Sequence, residues 1–368
     1  MAKLKKHWAM DESCDFIDLL SIDKLSESKL YTLLEKFKSP KIIKQISVTE
    51  LTAVVGVELA CQIAAFKPDD DIKRKYESLQ ALNIKILPYY ASEYPAWLKN
   101  IDHFPPILFV RGSIKIEDEI SLAVIGTRSA TTYGKNIAEN FAADFAKADV
   151  TVISGMARGV DTAAHLGALK NDGRTIAVLG CGIDLSYPPE NQKLMCEIIN
   201  HGAVISEFNI GTPPWAQNFP KRNRIISGLA KAVVAIEAKE KSGVMNTVRW
   251  ALDQNKDIFA VPGNIYAKTS QGTNQLIKDG AIPVTTADEI LESLGIKYTK
   301  KERTTKTLLL HQEEKLIWDQ LSLEPIYLDV LAENLKQPTS QILNILLDLE
   351  IKGLVKQLPG MMFVKNFE

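Results

Sequence analysis

The chain has 368 residues, of which 46% are hydrophobic and 24% are charged, and its formal net charge is −1. These values are typical of a soluble globular protein with two or three domains. Because the net charge is near zero, any affinity for nucleic acid has to come from a local basic patch. The four cysteines form no Cys-x-x-Cys pair and no histidine stands at zinc spacing, so we expect no metal site. The N-terminus has no apolar run behind its charges and no segment reaches the length of a membrane span, which predicts a cytoplasmic protein.

Helical periodicity dominates the N-terminal part of the chain. From residue 13 to about residue 67, apolar side chains recur at three- and four-residue spacing, which predicts a small helical domain within 1–75. Residues 51–66 are typical of a helix, a turn at Gly56 and a second helix, as in SAM or helix-hairpin-helix domains. No basic residue stands beside the turn, which favours packing over contact with a DNA backbone. We expect the charged stretch 67–75 to separate this domain from the next.

Six short runs of apolar, β-branched residues follow between residue 84 and about residue 296, alternating with helical segments such as 135–148 and 161–170. The runs are 122–125, 150–153, 175–179, 203–205, 232–236 and 258–261. They are continuous, as in parallel strands that are buried on both faces. The repeated βαβ pattern predicts an α/β fold for residues 80–296, a doubly wound Rossmann-like parallel sheet.

The C-terminal region begins with a polar, charged stretch without periodicity, which predicts a linker over 297–307. In 308–368, three helical patterns and two short strands around a Pro-Gly turn are typical of a winged helix. Its predicted helices are 313–321, 327–335 and 339–351, and its predicted strands are 354–357 and 361–365. The third helix has no Lys or Arg and carries Asp348 and Glu350, so we expect a protein-interaction or stabilising module instead of a reader of duplex DNA.

The loops after the six predicted strands are rich in glycine and hydroxyl residues, which are Gly126, Ser154, Gly155, Gly180, Gly182, Ser206, Ser242, Gly243 and Gly263. In an open parallel sheet, ligands bind beyond the carboxyl ends of the strands. Small residues there let backbone amides approach an anion, and the following helix adds partial positive charge. Tight strand-to-helix geometry also demands glycine, but six such loops together favour a phosphate-binding rim.

A basic stretch over 218–226 sets Lys221, Arg222 and Arg224 beside Phe219, where a loop is expected to become a helix. Guanidinium groups suit phosphate oxygens, and an aromatic face suits a stacked base. The alternative is a solvated basic turn with Phe219 as a core residue. We expect Arg128 and Arg158, from the first two loops, to join these cations in one basic pocket.

Enzymatic interpretations are less favoured. Arg128 and Ser129 stand where a Gly-x-Gly-x-x-Gly loop would bring backbone to a pyrophosphate, which argues against a nicotinamide enzyme. Asp161 and His165 lie on one predicted helix face, but no nucleophile motif accompanies them, so we expect His165 to be a structural hydrogen-bonding residue. Glu207 and Glu237, in two further strand-end loops, could form a pair of carboxylates, but we favour a role for one of them in holding an arginine of the rim.

The central motifs resemble those of the DprA/Smf family of DNA-processing proteins, bacterial factors for natural transformation. The matching segments are Gly126-Thr-Arg128, 154–161, 177–182, Phe219-Pro-Lys-Arg-Asn-Arg-Ile-Ile226, Val261-Pro-Gly263 and Gly272-Thr-Asn274. Their order and spacing agree with the family over roughly residues 85–292. One departure is Val248, which replaces a small residue of the family and is expected to alter helix packing or pocket width.

The resemblance implies a non-enzymatic protein without a cofactor that binds incoming single-stranded DNA. It also implies homodimers through the α/β domain and a contribution to loading the recombinase RecA. By motif match, the expected phosphate contacts are Arg128, Arg158, Lys221, Arg222 and Arg224. Asn223 and Phe219 are expected at bases or backbone, and the amides of Gly126, Gly155 and Gly243 complete the cradle. Ser154, Ser242 and Asn274 belong to the same predicted DNA-binding set.

The sequence is compatible with two alternative functions. One is a Rossmann-type nucleotide phosphoribohydrolase, although its Pro-Gly-Gly-x-Gly-Thr-x-x-Glu signature is missing. The other is a sensor of small nucleotides, which ligand-induced stabilisation would reveal.

Overall fold

A computed structural model describes residues 10–296, 311–322 and 324–365 of the chain. These residues form an N-terminal helical region, a large sheet dominated by parallel strands, and a C-terminal winged helix. The predicted fold class is therefore confirmed. Within the described ranges, no helix combines the length and the apolar character needed to cross a membrane.

The N-terminal region consists of helices that bury one apolar face each. They are α1 (Met10–Leu20), α2 (Glu27–Phe37), α3 (Pro40–Gln45), α4 (Val48–Val55), α5 (Val57–Ala65) and α6 (Asp70–Ala81). Helices α4 and α5 form the predicted hairpin, and Gly56 joins them with a φ of 86°, a value that glycine adopts at no steric cost.

Helix α6 corrects the expectation that the charged stretch 67–75 is a separator. The side chain of Asp69 accepts a hydrogen bond from the backbone of Ile72 and caps the helix. Ile72 and Leu79 are buried, and α6 packs against α1. The charges belong to the solvent face of an amphipathic helix, which a count of charged residues does not distinguish from a linker.

The central sheet has the order β1-β2-β6-β5-β4-β3-β7-β8-β9. Its strands are β1 (Lys85–Pro88), β2 (Ile107–Gly112), β3 (Ser121–Ile125), β4 (Thr151–Ser154), β5 (Thr175–Val178), β6 (Ala203–Ser206), β7 (Ala232–Ala235), β8 (Asp257–Ala260) and β9 (Ile282–Pro283). Strands β3 to β9 pair in parallel, and β1 and β2 add an antiparallel edge. All six predicted runs are strands.

Helices cover both faces of this sheet. They are α7 (Thr132–Lys147), α8 (Val160–Lys170), α9 (Gln192–His201), α10 (Asn218–Leu229), α11 (Gly243–Asp253), α12 (Gln271–Lys278) and α13 (Ala287–Ser293). Along β3, Leu122 and Val124 join a core with α7, α8 and α13, whereas Ala123 and Ile125 join a second core with α9, α10 and α11. The side chains of the N-terminal helices belong to that second core.

The strand order reverses between β3 and β7. The chain moves from β3 through β4 and β5 to β6, then returns to β7 on the other side of β3 and continues to β8. At such a switch point the two flanking loops diverge and leave a crevice beyond the carboxyl ends of the strands. The fold therefore places the candidate site beyond β3 and β7.

The C-terminal winged helix has its own core around Ile317, Leu331, Leu346 and Phe363. Its elements are α14 (Gln312–Gln320), β10 (Ile326–Tyr327), α15 (Leu328–Leu335), α16 (Thr339–Ile351), β11 (Val355–Leu358) and β12 (Met362–Lys365). The predicted helices and hairpin are confirmed. Sequence reasoning missed β10, because a two-residue strand has no recognisable pattern. The predicted linker 297–307 lies outside the described residues.

Candidate functional site

A cavity of about 540 Å³ opens beyond the carboxyl ends of β3 and β7. The loops after β3, β4 and β5, the first turns of α10 and the N-terminus of α11 line it. The predicted site residues on its wall are Gly126, Arg128, Phe219, Arg222, Asn223, Ser242 and Gly243. Separate loops thus converge on one hollow, as expected. Asp161 and Tyr187 also line the cavity and were not among the predicted binding residues.

Arg128 and Phe219 lie together on one wall of the cavity. The Arg128 guanidinium carbon lies 5.1 Å from the centroid of the Phe219 ring, within cation–π range. The Tyr187 ring is tilted against the same ring at 5.6 Å. Within the described residues, Arg128 has no carboxylate partner and its side chain is exposed. Arg128 is therefore a cation held in place by an aromatic ring and available to an anion.

The basic stretch 218–226 is helical throughout, since it lies within α10. This differs from the expected loop-to-helix junction. Because the stretch is a helix, its successive cations point in different directions about the axis. Arg222 faces the cavity, whereas Lys221 and Arg224 face the N-terminal helices.

Arg222 lies in the floor of the cavity and is almost fully buried. Its guanidinium donates to the carbonyl oxygens of Gly155, at 2.9 Å, and Val178. A Cβ atom at Gly155 would stand 2.8 Å from both Arg222 Nη2 and Asp161 Oδ2, so only glycine leaves room for this pair. Burial lowers the pKa of Arg222 to about 10, which keeps it charged at neutral pH.

Asp161 lies beside Arg222 and is also buried. Burial raises its pKa to about 6, against the opposing charge of Arg222 and a hydrogen bond from the backbone of Ala157. His165, one turn further along α8, forms a 2.7 Å hydrogen bond between its Nδ1 and Thr175 Oγ1. Burial lowers the pKa of His165 to about 3. A histidine that stays neutral in the core is not an acid–base catalyst at neutral pH, which agrees with the structural interpretation.

Glu237 anchors the loop that carries Arg128. Its carboxylate accepts hydrogen bonds from Thr131 N at 2.9 Å and Thr131 Oγ1 at 2.7 Å, and Thr131 in turn caps α7. On the other side of this loop, Gly159 has a φ of 81°, and a Cβ atom there would lie 2.8 Å from the carbonyl oxygen of Arg128. Sequence reasoning did not assign this anchor to Glu237.

The N-terminus of α11 forms the opposite wall. Ser242 occupies the N-cap position, but its Oγ makes no capping hydrogen bond and has no partner among the described residues although it is buried. No atom of the residues that the structure describes lies within 4 Å of the position that a Cβ would take at Gly243, so the backbone there faces open space. Asn223 ties α10 to this wall through a 3.2 Å hydrogen bond to Asn246 Oδ1. Free amides and an unpaired hydroxyl at a helix N-terminus suit an anion.

Lys221 and Arg224 do not line the cavity, so the expectation of a single basic pocket is wrong for them. Arg224 is buried and makes a bidentate ion pair with Glu207, with N–O distances of 2.7 and 2.6 Å. Burial disfavours the charge on Glu207, but Arg224 outweighs it and lowers the pKa of the carboxyl. Lys221 contacts Glu27 on α2. Glu207 is thus the carboxylate that pairs with an arginine, as expected for one of two.

The remaining predicted site residues also lie off the cavity wall. Arg158 is exposed and pairs with Glu190, with 3.1 Å between Nη2 and Oε2. Ser154 is buried and donates to the carbonyl of Val124 at 2.7 Å. Asn274 makes two hydrogen bonds to the backbone of Gly263. These residues hold loops in place, and Gly155 makes room for Arg222.

The central region matches the family model described as DNA recombination-mediator protein A over residues 85–295, which is more than half of the chain. The chain belongs to this family. The model of the DprA winged helix domain matches residues 301–361. The resemblance inferred from the motifs is thereby confirmed.

Relatives support the assignment over most of the chain. Protein Smf of Escherichia coli is 38% identical over 290 residues, which span 77% of this chain and 78% of that protein. The structure of DNA processing protein A from Streptococcus pneumoniae is 29% identical, with a TM-score of 0.67 over 78% of this chain and 99% of that one. The protein from Helicobacter pylori, studied for its single-stranded DNA binding mode, is 30% identical, with a TM-score of 0.54 over 59% of this chain and 98% of that one.

Family membership establishes a DNA-processing function of the DprA type. The family is one of DNA recombination mediators and not of known enzymes. The phosphoribohydrolase and nucleotide-sensor alternatives are not favoured by these relatives.

Proposed function

We propose that the cavity holds one nucleotide unit of a single DNA strand and that the protein is a recombination mediator. The observation that carries this proposal is Arg128, which is exposed at the cavity wall, rests on Phe219 and has no carboxylate partner within the described residues. A guanidinium with free donors binds phosphate oxygens in bidentate geometry.

The size of the cavity favours a single strand over a duplex. Its volume of about 540 Å³ lies within the range of small-ligand pockets, about 300–1,000 Å³. A base in a duplex would have to leave its stack and its partner to enter, at a cost of a few kcal/mol. A base in a single strand is already accessible.

The wall residues divide the contacts between phosphate and base. Arg128, Ser242 Oγ and the amides near Gly126 and Gly243 contact phosphate oxygens, and the Tyr187–Phe219 pair offers an apolar surface to a base. Arg222 contributes positive potential from the floor. Asn223 positions the α11 wall. Lys221 and Arg224 are assigned to the fold instead, because carboxylates already neutralise them.

The proposal extends to partners. The chain acts without catalysis, forms a homodimer through its α/β domain and helps to load RecA, as the family resemblance implies. The similarity to the Helicobacter pylori protein, which has been studied for its single-stranded DNA binding mode, supports single-stranded DNA as the ligand.

A mobility-shift comparison of single-stranded and duplex oligonucleotides tests the proposal. We expect the wild type to prefer the single strand. Arg128→Ala should weaken binding and reduce the slope of log affinity against log salt by about 0.7, the value of one phosphate contact on a single strand. Equal binding of both forms, or an unchanged slope, would contradict it.

Incubation with nucleoside monophosphates, with released base as the readout, tests the absence of hydrolase activity.

A further inference from the structure

The loop between β8 and α12, residues 262–270, carries the most exposed large apolar side chain in the described part of the chain. Tyr266 is 88% exposed and its neighbour Ile265 is 72% exposed. Neither side chain contributes to a core. This loop, called the Tyr266 loop below, presents an aromatic ring to solvent without a structural reason of its own.

The backbone of the Tyr266 loop is nevertheless well determined. Asn264 organises the tip, since its side chain accepts from Tyr266 N at 2.9 Å and its carbonyl accepts from Ala267 N at 3.0 Å. Asn274 braces the start of the loop through its two hydrogen bonds to Gly263. These hydrogen bonds hold the backbone that carries the exposed ring, so less backbone entropy is lost when the loop binds a ligand.

The Tyr266 loop lies next to the segment that leads into the cavity wall. Thr269 accepts a backbone hydrogen bond from Ala238 at 2.7 Å, and Ala238 accepts one from Gly272 at 2.8 Å. The chain then runs from Ala238 over four residues to Ser242, which lines the cavity. Strand β8 is the neighbour of β7 in the sheet, so the loop stands one strand beyond the cavity on the same sheet edge.

The two segments that connect the cavity wall with Tyr266 carry more basic than acidic residues. Segments 238–242 and 262–270 contain Lys239, Lys241 and Lys268 against one acidic residue, Glu240. All three lysines are exposed, and none has an ion-pair partner among the residues that the structure describes. Exposed cations with an aromatic ring among them are groups with which proteins hold single-stranded nucleic acid.

We infer that a DNA strand leaving the cavity passes over Lys241 and Lys239 and stacks one of its bases on Tyr266. This inference rests on the proposed function, because it extends the path of the strand whose nucleotide occupies the cavity. Single-stranded DNA is favoured over a protein partner because the apolar tip is limited to two residues, whereas protein interfaces present larger contiguous apolar patches.

The test compares two oligothymidylates on the full-length protein, one of about three nucleotides that fills the cavity alone and one of about twenty that also reaches Tyr266. Tyr266→Ala should lower the affinity for the long oligonucleotide by about 5- to 150-fold, the contribution of one stacked base. The affinity for the short oligonucleotide should stay unchanged. Tyr266→Phe should keep wild-type affinity, because stacking does not need the hydroxyl. Tyr327→Ala, which removes an exposed tyrosine in the winged helix, is the matched control and should have no effect.

Salt dependence separates stacking from charge. Tyr266→Ala should leave the salt slope for the long oligonucleotide unchanged, whereas Lys241→Ala should reduce it by about 0.7. The inference is wrong if the Tyr266→Ala variant binds the long oligonucleotide as tightly as the wild type does, or if it loses affinity for both oligonucleotides equally. The Arg128→Ala variant tests the cavity independently of that result. A changed oligomeric state of Tyr266→Ala with unchanged DNA affinity would assign the loop to protein contact and overturn the inference. Failure of the wild type to bind either length would overturn the proposed function itself.

Discussion

Two faces of helix α10 carry cations that differ in what they meet. On the cavity face, Arg222 donates to backbone carbonyls and lies near Arg128, which has no carboxylate partner within the described ranges. On the face toward the N-terminal helices, Lys221 and Arg224 meet Glu27 and Glu207. Both faces come from one run of basic residues. The difference indicates which cations remain available to a ligand, namely those that have no carboxylate partner among the described residues.

We expect the greatest loss from a change on the face of α10 that carries Lys221 and Arg224, called the neutralised face because carboxylates pair with both cations. Glu207→Gln would leave Arg224 buried without its carboxylate, and we expect a loss of about 3–5 kcal/mol in the free energy of unfolding. Urea denaturation of the full chain measures it. A variant as stable as the wild type would show that the pair contributes nothing to the fold.

The next effect contrasts the two faces in DNA binding. Arg128→Ala should lower the affinity for an oligothymidylate by about 10- to 150-fold, the range for the loss of a hydrogen bond to a charged group. Lys221→Ala should change the affinity by less than about threefold, because its charge already has a partner. Fluorescence anisotropy at one salt concentration compares them. Equal losses would mean that Lys221 leaves Glu27 when DNA binds.

The pH dependence of DNA binding tests whether the charge of Asp161 acts on a ligand in the cavity. The pKa of Asp161 is raised to about 6, so between pH 7 and pH 5 the carboxylate takes up a proton and loses its negative charge. Affinity for oligothymidylate should therefore rise as the pH falls, by about fivefold for one charge near the phosphate. His165 stays neutral over this range because its pKa is about 3.

The matched variant for this prediction is Asp161→Asn, which should bind equally at pH 7 and pH 5. The same group affects stability with a defined sign. Because its folded pKa lies above the ordinary 3.8, the folded state binds the proton more tightly. The contribution of Asp161 to stability therefore increases as the pH falls from 7 toward 5. A pH response retained in Asp161→Asn would place the titrating group elsewhere.

The smallest effect is expected at the outer carboxylate of the neutralised face. Glu27→Gln should cost less than about 1 kcal/mol, since the side chain of Glu27 is 39% exposed and its ion pairs are screened by water. Measured beside Glu207→Gln, it separates a buried ion pair from a half-exposed one on the same helix. A loss as large as that of Glu207→Gln would show that Glu27 belongs to the buried network.

Much of the fold was predictable from local pattern. The strand at 232–236 is a continuous apolar run, and such a run is stable only when it is buried on both faces. The turn at Gly56 and the third helix of the winged helix were recognisable for similar reasons. Helix α6 was not, because its charges obscured two buried residues, Ile72 and Leu79, that face the core.

The candidate site was predictable in part. Gly126, Arg128, Phe219 and Ser242 were found because parallel strands bring the loops after them to one sheet edge. Tyr187 and Asp161 were not assigned as wall residues, since their place depends on how the loops after β4 and β5 fold back over the edge. The exposure of Tyr266 was not predictable, because no sequence pattern distinguishes a loop tyrosine with a buried ring from one with an exposed ring.

Local patterns in the sequence predict a doubly wound α/β sheet with glycine-rich strand ends, because periodicity and turn chemistry are properties of neighbouring residues. Which cations remain available to a ligand depends on the three-dimensional fold. Glu27 lies 194 residues before Lys221, and no local rule connects them. Whether a charge is paired depends on which distant carboxylate the fold brings within a few ångströms, since electrostatic attraction falls with distance in space and not with separation along the chain.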